Sequence, residues 1–275
     1  MKRIDSHQHF WQLSRNDYSW LTPELELLYK NFLPNDLSPK LKQAGIEKTV
    51  LIQAADTIEE TQFMLSLANG HDFIAGVVGW VDMESNHAIE QLESLRTNPY
   101  FKGIRPMIQD IDDINWMLKP QLTPVFEYLV EHELTFDALV MPKHLDALYE
   151  LLNRYPTLKV VIDHGAKPDI ANELTPQWFE KMTLIATNTS ALCKLSGLVT
   201  EAGDKPVLAK ILPYMEHLLS VFGAKRLMWG SDWPVINLAS EYSAWVNQVE
   251  TFLAALSLEE QQAIWANNAE EFYQL

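Results

Sequence analysis

The segment KRIDSHQHF, residues 2–10, places Asp5, His7 and His9 on alternate positions. In an extended strand, residues i and i+2 point to the same face, so one face would carry a carboxylate and two imidazoles. A strand core favours Val or Ile there, because a buried polar group costs free energy unless it is paired. The stretch therefore reads as the polar end of a strand or as a site. Asp5 then either anchors the strand or orients a histidine.

Seven further β-like runs follow: EKTVLIQAA (47–55), DFIAGVVGWV (72–81), FKGIRPMI (101–108), LTFDALVM (134–141), LKVVIDHG (158–165), ALCKLSGL (191–198) and RLMWGSDW (226–233). Their starts lie mostly 25–35 residues apart. Helical patterns fill the gaps, at 34–46, 57–71, 86–99, 123–133, 142–156, 175–188, 205–223, 241–256 and 258–275. In the first, Asp36 or Ser38 is expected to cap the N-terminus and Gly45 to stop the helix. In the second, Ile58, Phe63, Met64 and Leu67 fall near one stripe, and Gly70 ends it.

Eight strand–helix repeats are the signature of a parallel sheet with crossover helices. Within ~250 residues they predict a closed (β/α)8 TIM barrel, with residues 1–275 forming one domain. An open doubly wound sheet is the other arrangement of such repeats. No G-x-G-x-x-G follows the first strand, so nothing points to a nucleotide cofactor. The segment 11–34 is long for a barrel loop and is expected to pass over the barrel mouth.

The 275 residues carry a net charge of −16, with a pI near 4.8. Such a balance disfavours nucleic acid and anionic membranes as partners. Cys193 is the single cysteine, so no intramolecular disulfide forms. The N-terminus has no apolar signal-like region, and no apolar run approaches the ~20 residues that span a bilayer. A cytoplasmic protein is expected, with no signature of an oligomeric state. The nine tryptophans serve as core filler or as aromatic walls of a pocket.

Barrel active sites form at the C-terminal ends of the strands. Polar residues gather there: His7 and His9 on the first, Gln53 on the second, Asp82 after the third, Arg105 on the fourth, His164 on the sixth, Lys194 and Ser196 on the seventh, Asp232 on the eighth. Packing alone does not explain that distribution. Lys194 interrupts an apolar run and needs a partner inside a barrel, so it binds substrate or forms an ion pair. Asp232 follows Gly230, which allows close backbone approach.

These residues carry a resemblance. His7-x-His9, His164 and Asp232 within GSDWP resemble the amidohydrolase superfamily, in its amidohydrolase-2 branch. The runs IDSHQHFWQLSRNDYSWL, KGIRPMIQ, KLSGL and MWGSDWPV are similar to sugar lactonases of the L-fucono-1,5-lactonase and L-rhamnono-lactonase type, over essentially the whole chain. Two-metal members of that superfamily carry a bridging Lys or Glu on strand four and a His on strand five. Here those strands offer Arg105 and Asp137, and His144 lies beyond strand five at a helix start. The resemblance thus implies no metal or one divalent ion, zinc foremost, held by His7, His9 and Asp232.

It also implies hydrolysis of a small-molecule sugar lactone. That reaction needs a water relieved of its proton and a donor for the developing oxyanion. Asp232 is expected as general base, with His7 and His9 holding a metal or the lactone carbonyl. His164, Arg105 and Lys194 are expected to supply donors, and Trp11 and Trp233, with Trp20 and Trp80, flat faces for the sugar ring. Two other readings stay open: a metal-dependent decarboxylase of the same branch, and a barrel that binds sugar acids without turnover.

Overall fold

A computed structural model describes residues 1–172, 176–203 and 207–275. Every expected strand forms: β1 (Ile4–Gln8), β2 (Lys48–Ile52), β3 (Ile74–Gly79), β4 (Phe101–Ile104), β5 (Thr135–Ala138), β6 (Lys159–Ile162), β7 (Leu192–Leu195) and β8 (Leu227–Trp229). They pair in parallel in the order of the chain. The eighth returns to the first: Asp232 N–H donates to the His7 carbonyl at 2.8 Å, and His9 N–H to the Trp233 carbonyl at 2.7 Å. The fold is the (β/α)8 TIM barrel.

Helices α1 (Pro34–Ala44), α2 (Ile58–Gly70), α3 (Ala88–Arg96), α4 (Thr123–Glu131), α5 (Leu145–Arg154), α6 (Pro176–Asn188), α7 (Leu208–Phe222) and α8 (Tyr242–Leu253) lie between and after the strands. The short α9 (Leu258–Gln262) and α10 (Asn268–Tyr273) end the chain. The first residues of the patterns at 175–188 and 205–223 lie outside the described residues. Among the described residues no helix is long and apolar enough to cross a membrane.

Helix ends follow local chemistry. Gly45 takes φ +66 and ends α1, the left-handed cap that glycine adopts without a Cβ penalty. Neither Asp36 nor Ser38 is the N-cap. Leu33 holds that place, and Asp36, already in the first turn, accepts from the Leu33 N–H at 2.8 Å. The buried side of α2 is also rotated from the expected stripe. Met64 is buried with Glu60, Thr61, Leu65 and Ala68, while Ile58, Phe63 and Leu67 are half-buried. The rotation has a cause: Glu60 reaches inward to accept from the Ala54 and Ala55 N–H groups.

Inside the barrel, Ile4, Val50, Val78, Val161 and Met228 meet Phe272 and Tyr273, so α10 plugs the floor. The larger apolar cluster joins the outer faces of the strands to the helices. Seven of the nine tryptophans are buried, so core filling is their main use; Trp20 and Trp80 are partly exposed.

The opening alternation does not survive intact. The β1–β2 register shifts between Asp5 and Gln8. A bulge of this kind re-aims the side chains beyond it. Asp5 meets no imidazole; it accepts from the His7 N–H at 3.2 Å, the Ser231 N–H at 2.8 Å and the Tyr242 hydroxyl at 3.0 Å. It anchors β1 to the β8 end and to α8. Burial raises its carboxyl to about 6, against those hydrogen bonds.

Candidate active site

A cavity of about 260 Å³ opens at the C-terminal ends of the strands. His9, Arg105, His164 and Asp232 line it, together with Lys167, Gln109 and Asp110. Trp20, Leu25 and Leu28 from the 11–34 segment form an apolar wall, so that segment does pass over the mouth. Its base is pinched by reciprocal backbone bonds between Trp11 and Phe32, at 2.9 and 3.0 Å. The Trp20 indole donates to the Ala54 carbonyl at 2.7 Å and fixes the wall to the β2 end.

Four expected residues thus meet in one cavity. His7, Lys194, Trp11 and Trp233 do not line it. The last two are packed beneath the 11–34 segment, where Trp11 donates to the Lys30 carbonyl at 2.8 Å and Trp233 stacks edge-on against Phe32. The expectation that they present faces to a sugar is corrected on that geometry; Trp20 takes the place on the wall. Trp80 and Asp82 line a separate depression. His144 starts the helical segment after β5, accepting from the Met141 N–H at 3.0 Å, and is also away from the site.

Lys194 is wholly buried and forms the ion pair that was its alternative. Its ammonium lies 2.6 Å from Asp137 Oδ2 and 3.0 Å from Asp163 Oδ1. Tyr273, rising from the floor, donates to Asp137 Oδ2 at 2.6 Å. Burial works to raise the Asp163 carboxyl, but Lys194, His7 and Arg105 hold it well below the usual range. Arg105 is clamped on Gln53: its guanidinium donates to the Gln53 carbonyl and, at 3.3 Å, to Oε1, while Gln53 Nε2 donates back to the Arg105 carbonyl at 2.8 Å. The roles of Gln53 and Asp137 are therefore to fix the two cations.

Asp163 was not singled out in the sequence, yet it organises the histidines. Burial, aided by Lys194, keeps His7 neutral. Arg105 Nη1 lies 3.2 Å from His7 Nε2, and on the other side of the ring Nδ1 sits between the Lys194 ammonium at 3.2 Å and Asp163 Oδ1 at 3.3 Å. His9 Nδ1 lies 2.8 Å from the Ile52 carbonyl, an acceptor, so in the neutral ring its Nε2 keeps its lone pair. The two Nε2 atoms are 3.2 Å apart, and His9 Nε2 is 3.2 Å from Asp232 Oδ1. Acceptors crowded this way repel unless a cation sits among them. His7, His9 and Asp232 fit one divalent metal ion, and two imidazoles with a carboxylate form a common donor set for such ions. His7, Asp163 and His164 form a second close group, but Lys194 already neutralises Asp163 there.

Asp232 sits at φ +57, and its carboxylate faces three histidines. Burial tends to raise it; His164, His9 and His7 more than offset this and hold it below the ordinary carboxylate range. His164 is pulled down to about 4 by burial, against the attraction of Asp232, and is neutral at pH 7. Its Nδ1 lies 2.8 Å from Ser196 Oγ. Gly197, at φ +65, keeps room for that ring: a Cβ would stand 2.5 Å from His164 Nδ1. A Cβ on Gly230 would stand 2.7 Å from that of His7.

Residues 4–275 match the family described as Amidohydrolase. The chain belongs to the amidohydrolase family. This amidohydrolase is 43% identical to an L-fucono-1,5-lactonase of Burkholderia ambifaria over 99% of its own length and 96% of the relative's. It is 32% identical to an L-fucono-1,5-lactonase of Burkholderia multivorans, over 99% and 96% of the two chains. A crystal structure of an amidohydrolase from Burkholderia multivorans with bound zinc superposes with a TM-score of 0.95, at 32% identity and full coverage of both chains.

Proposed function

We propose that this amidohydrolase opens a sugar-acid lactone by adding water to its carbonyl, with residues 1–275 working as one barrel domain. The observation that carries the reading is the meeting of Asp232, His9, His164 and Arg105 in one small cavity, in a chain 43% identical to an L-fucono-1,5-lactonase. L-Fucono-1,5-lactone is the first substrate of choice. The dihydroxybenzoate decarboxylases on which this chain superposes share only 13–15% identity with it, and a silent binder leaves the ionised Asp232 without use. The acidic net charge and the buried lone Cys193 suit a small-molecule enzyme of a reducing compartment such as the cytoplasm.

The chemistry proceeds from the chain's own groups. Asp232 takes a proton from the attacking water as its oxygen bonds to the lactone carbon. Arg105 and the Nε2–H of His164, with the Ser196 hydroxyl donating to Nδ1, face the developing oxyanion. The acyl–oxygen bond of the ring then breaks, and the ring oxygen takes the proton held by Asp232. The product is an open hydroxy acid, ionised at neutral pH, so one proton is released per ring opened. His7, which solvent does not reach, supports His9 and Asp232 rather than touching substrate.

The ion held by His7, His9 and Asp232 is proposed to be a single zinc, which would polarise the carbonyl and lower the pKa of a bound water. Metal analysis of purified protein is expected to return about one equivalent of zinc per chain, and His9→Ala to lose it. Two equivalents, or an unchanged content in His9→Ala, would overturn the assignment. Proton release from a panel of aldonolactones tests the activity. Acceleration over the spontaneous rate on at least one lactone is expected, and a panel opened no faster than in buffer would refute the lactonase reading.

A further inference from the structure

After β6 the chain makes an unusual turn. His164, Gly165, Ala166 and Lys167 all take left-handed backbone angles, with φ of 53°, 57°, 62° and 48°. For a residue with a Cβ this conformation costs roughly 1–2 kcal/mol, and left-handed residues normally occur singly. Three of these four carry a Cβ. Such strain persists only where the surroundings impose it, and it collects at functional sites. The surroundings here are specific. The Trp178 indole donates to the Gly165 carbonyl at 2.8 Å, and the Lys167 N–H closes the turn on the His164 carbonyl at 2.9 Å.

The turn delivers two side chains to the cavity. One is His164; the other is Lys167, which no motif pointed to. The Lys167 ammonium donates to Gln109 Oε1 at 3.0 Å and pairs with Glu201 Oε1 at 3.3 Å. An ammonium has three donors, so among the described residues one N–H remains for a ligand. Gln109 in turn donates to Asp110 Oδ2 at 3.2 Å. Lys167, Gln109 and Asp110 thus give the cavity a wall of linked donors and acceptors, in contrast to the apolar surfaces of Trp20, Leu25 and Leu28. A polyhydroxylated ring needs such a wall, because each hydroxyl both donates and accepts.

We propose that Lys167 is a specificity-determining residue that donates to a ring hydroxyl of the lactone, held in place by Gln109 and Glu201 on the left-handed turn. The proposal rests on the lactonase reading and names the group that tells a sugar lactone from a plain one. The lactone carbonyl is left to Arg105, His164 and Asp232, so Lys167 acts on recognition and not on the bond that breaks.

The test compares wild type with Lys167→Met on two lactones sharing a six-membered ring: the best aldono-1,5-lactone of the panel and unsubstituted δ-valerolactone. Loss of a hydrogen bond from a charged donor is expected to lower kcat/KM on the aldonolactone by about 10- to 100-fold, mostly through KM. Turnover of δ-valerolactone, which has no hydroxyl to grip, is expected to stay within about threefold, the spread of effects that touch no contact made by that substrate. Equal losses on both lactones would show that Lys167 only shapes the turn, and no loss on the aldonolactone would show that it touches nothing; either result overturns the proposal. A wild-type enzyme inert on every aldonolactone overturns the lactonase reading itself, and this proposal with it.

Discussion

Asp232→Asn is expected to lower lactone hydrolysis by about 100- to 10,000-fold, the usual contribution of a general base. The substitution is chosen to spare the fold. Asn keeps the size of Asp and, like Asp, tolerates a left-handed backbone, which this position has at φ +57. The backbone N–H that closes β8 onto β1 through the His7 carbonyl is untouched. What changes is the oxygen facing His9 at 3.2 Å: the amide keeps one acceptor but cannot receive a proton from water. Steady-state kinetics on the best aldonolactone, with a melting curve beside them, give the check. A variant within about tenfold of wild type leaves no room for a general base at Asp232.

Lys194→Met is expected to cost stability on a comparable scale. It removes the one ammonium that lies between Asp137 Oδ2 and Asp163 Oδ1, at 2.6 and 3.0 Å, with no solvent to replace it. Breaking a buried pair from one side typically costs about 3–5 kcal/mol, because the remaining charge has no partner. At roughly 2–4 °C per kcal/mol for a domain near this size, the melting temperature should fall by about 10 °C. Adding Asp137→Leu should recover part of the loss, since removing both partners of a buried pair is far cheaper than removing one. Asp163 keeps His7 and Arg105 in the double variant. A single variant melting within about 2 °C of wild type would mean that Lys194 is not carrying the buried charge.

The barrel was legible because its signal is repeated. Eight apolar runs with helical patterns between them leave little choice of architecture, and polar residues at the strand ends mark the face where chemistry occurs. Of the residues expected to touch substrate or catalyse, His9, Arg105, His164 and Asp232 meet in the cavity. What remained illegible depends on backbone geometry that periodicity does not carry. With a register shift in β1, Asp5 holds the backbone N–H groups of His7 and Ser231 and no imidazole. Trp11 and Trp233 stand beside site residues in the chain, yet packing under the 11–34 segment hides them. Asp163 lay in plain view within VVIDHG, and the cost of a carboxylate in an apolar strand was the signal for it. Lys167 had only the neighbouring glycine as a hint, since a left-handed turn of mostly non-glycine residues goes against local preference.

In the proposed mechanism, water relieved of its proton by Asp232 attacks the lactone carbonyl directly. A single turnover in H₂¹⁸O, with enzyme in excess over the aldonolactone, tests this most directly. One ¹⁸O atom is expected in the carboxylate of the first-turnover product, none in the hydroxyl released from the ring, and none in the peptide containing Asp232. Unlabelled product with ¹⁸O on Asp232 would make that carboxylate a nucleophile, and label in the ring-derived hydroxyl would place the cleavage on the wrong side of the oxygen; either would contradict the mechanism.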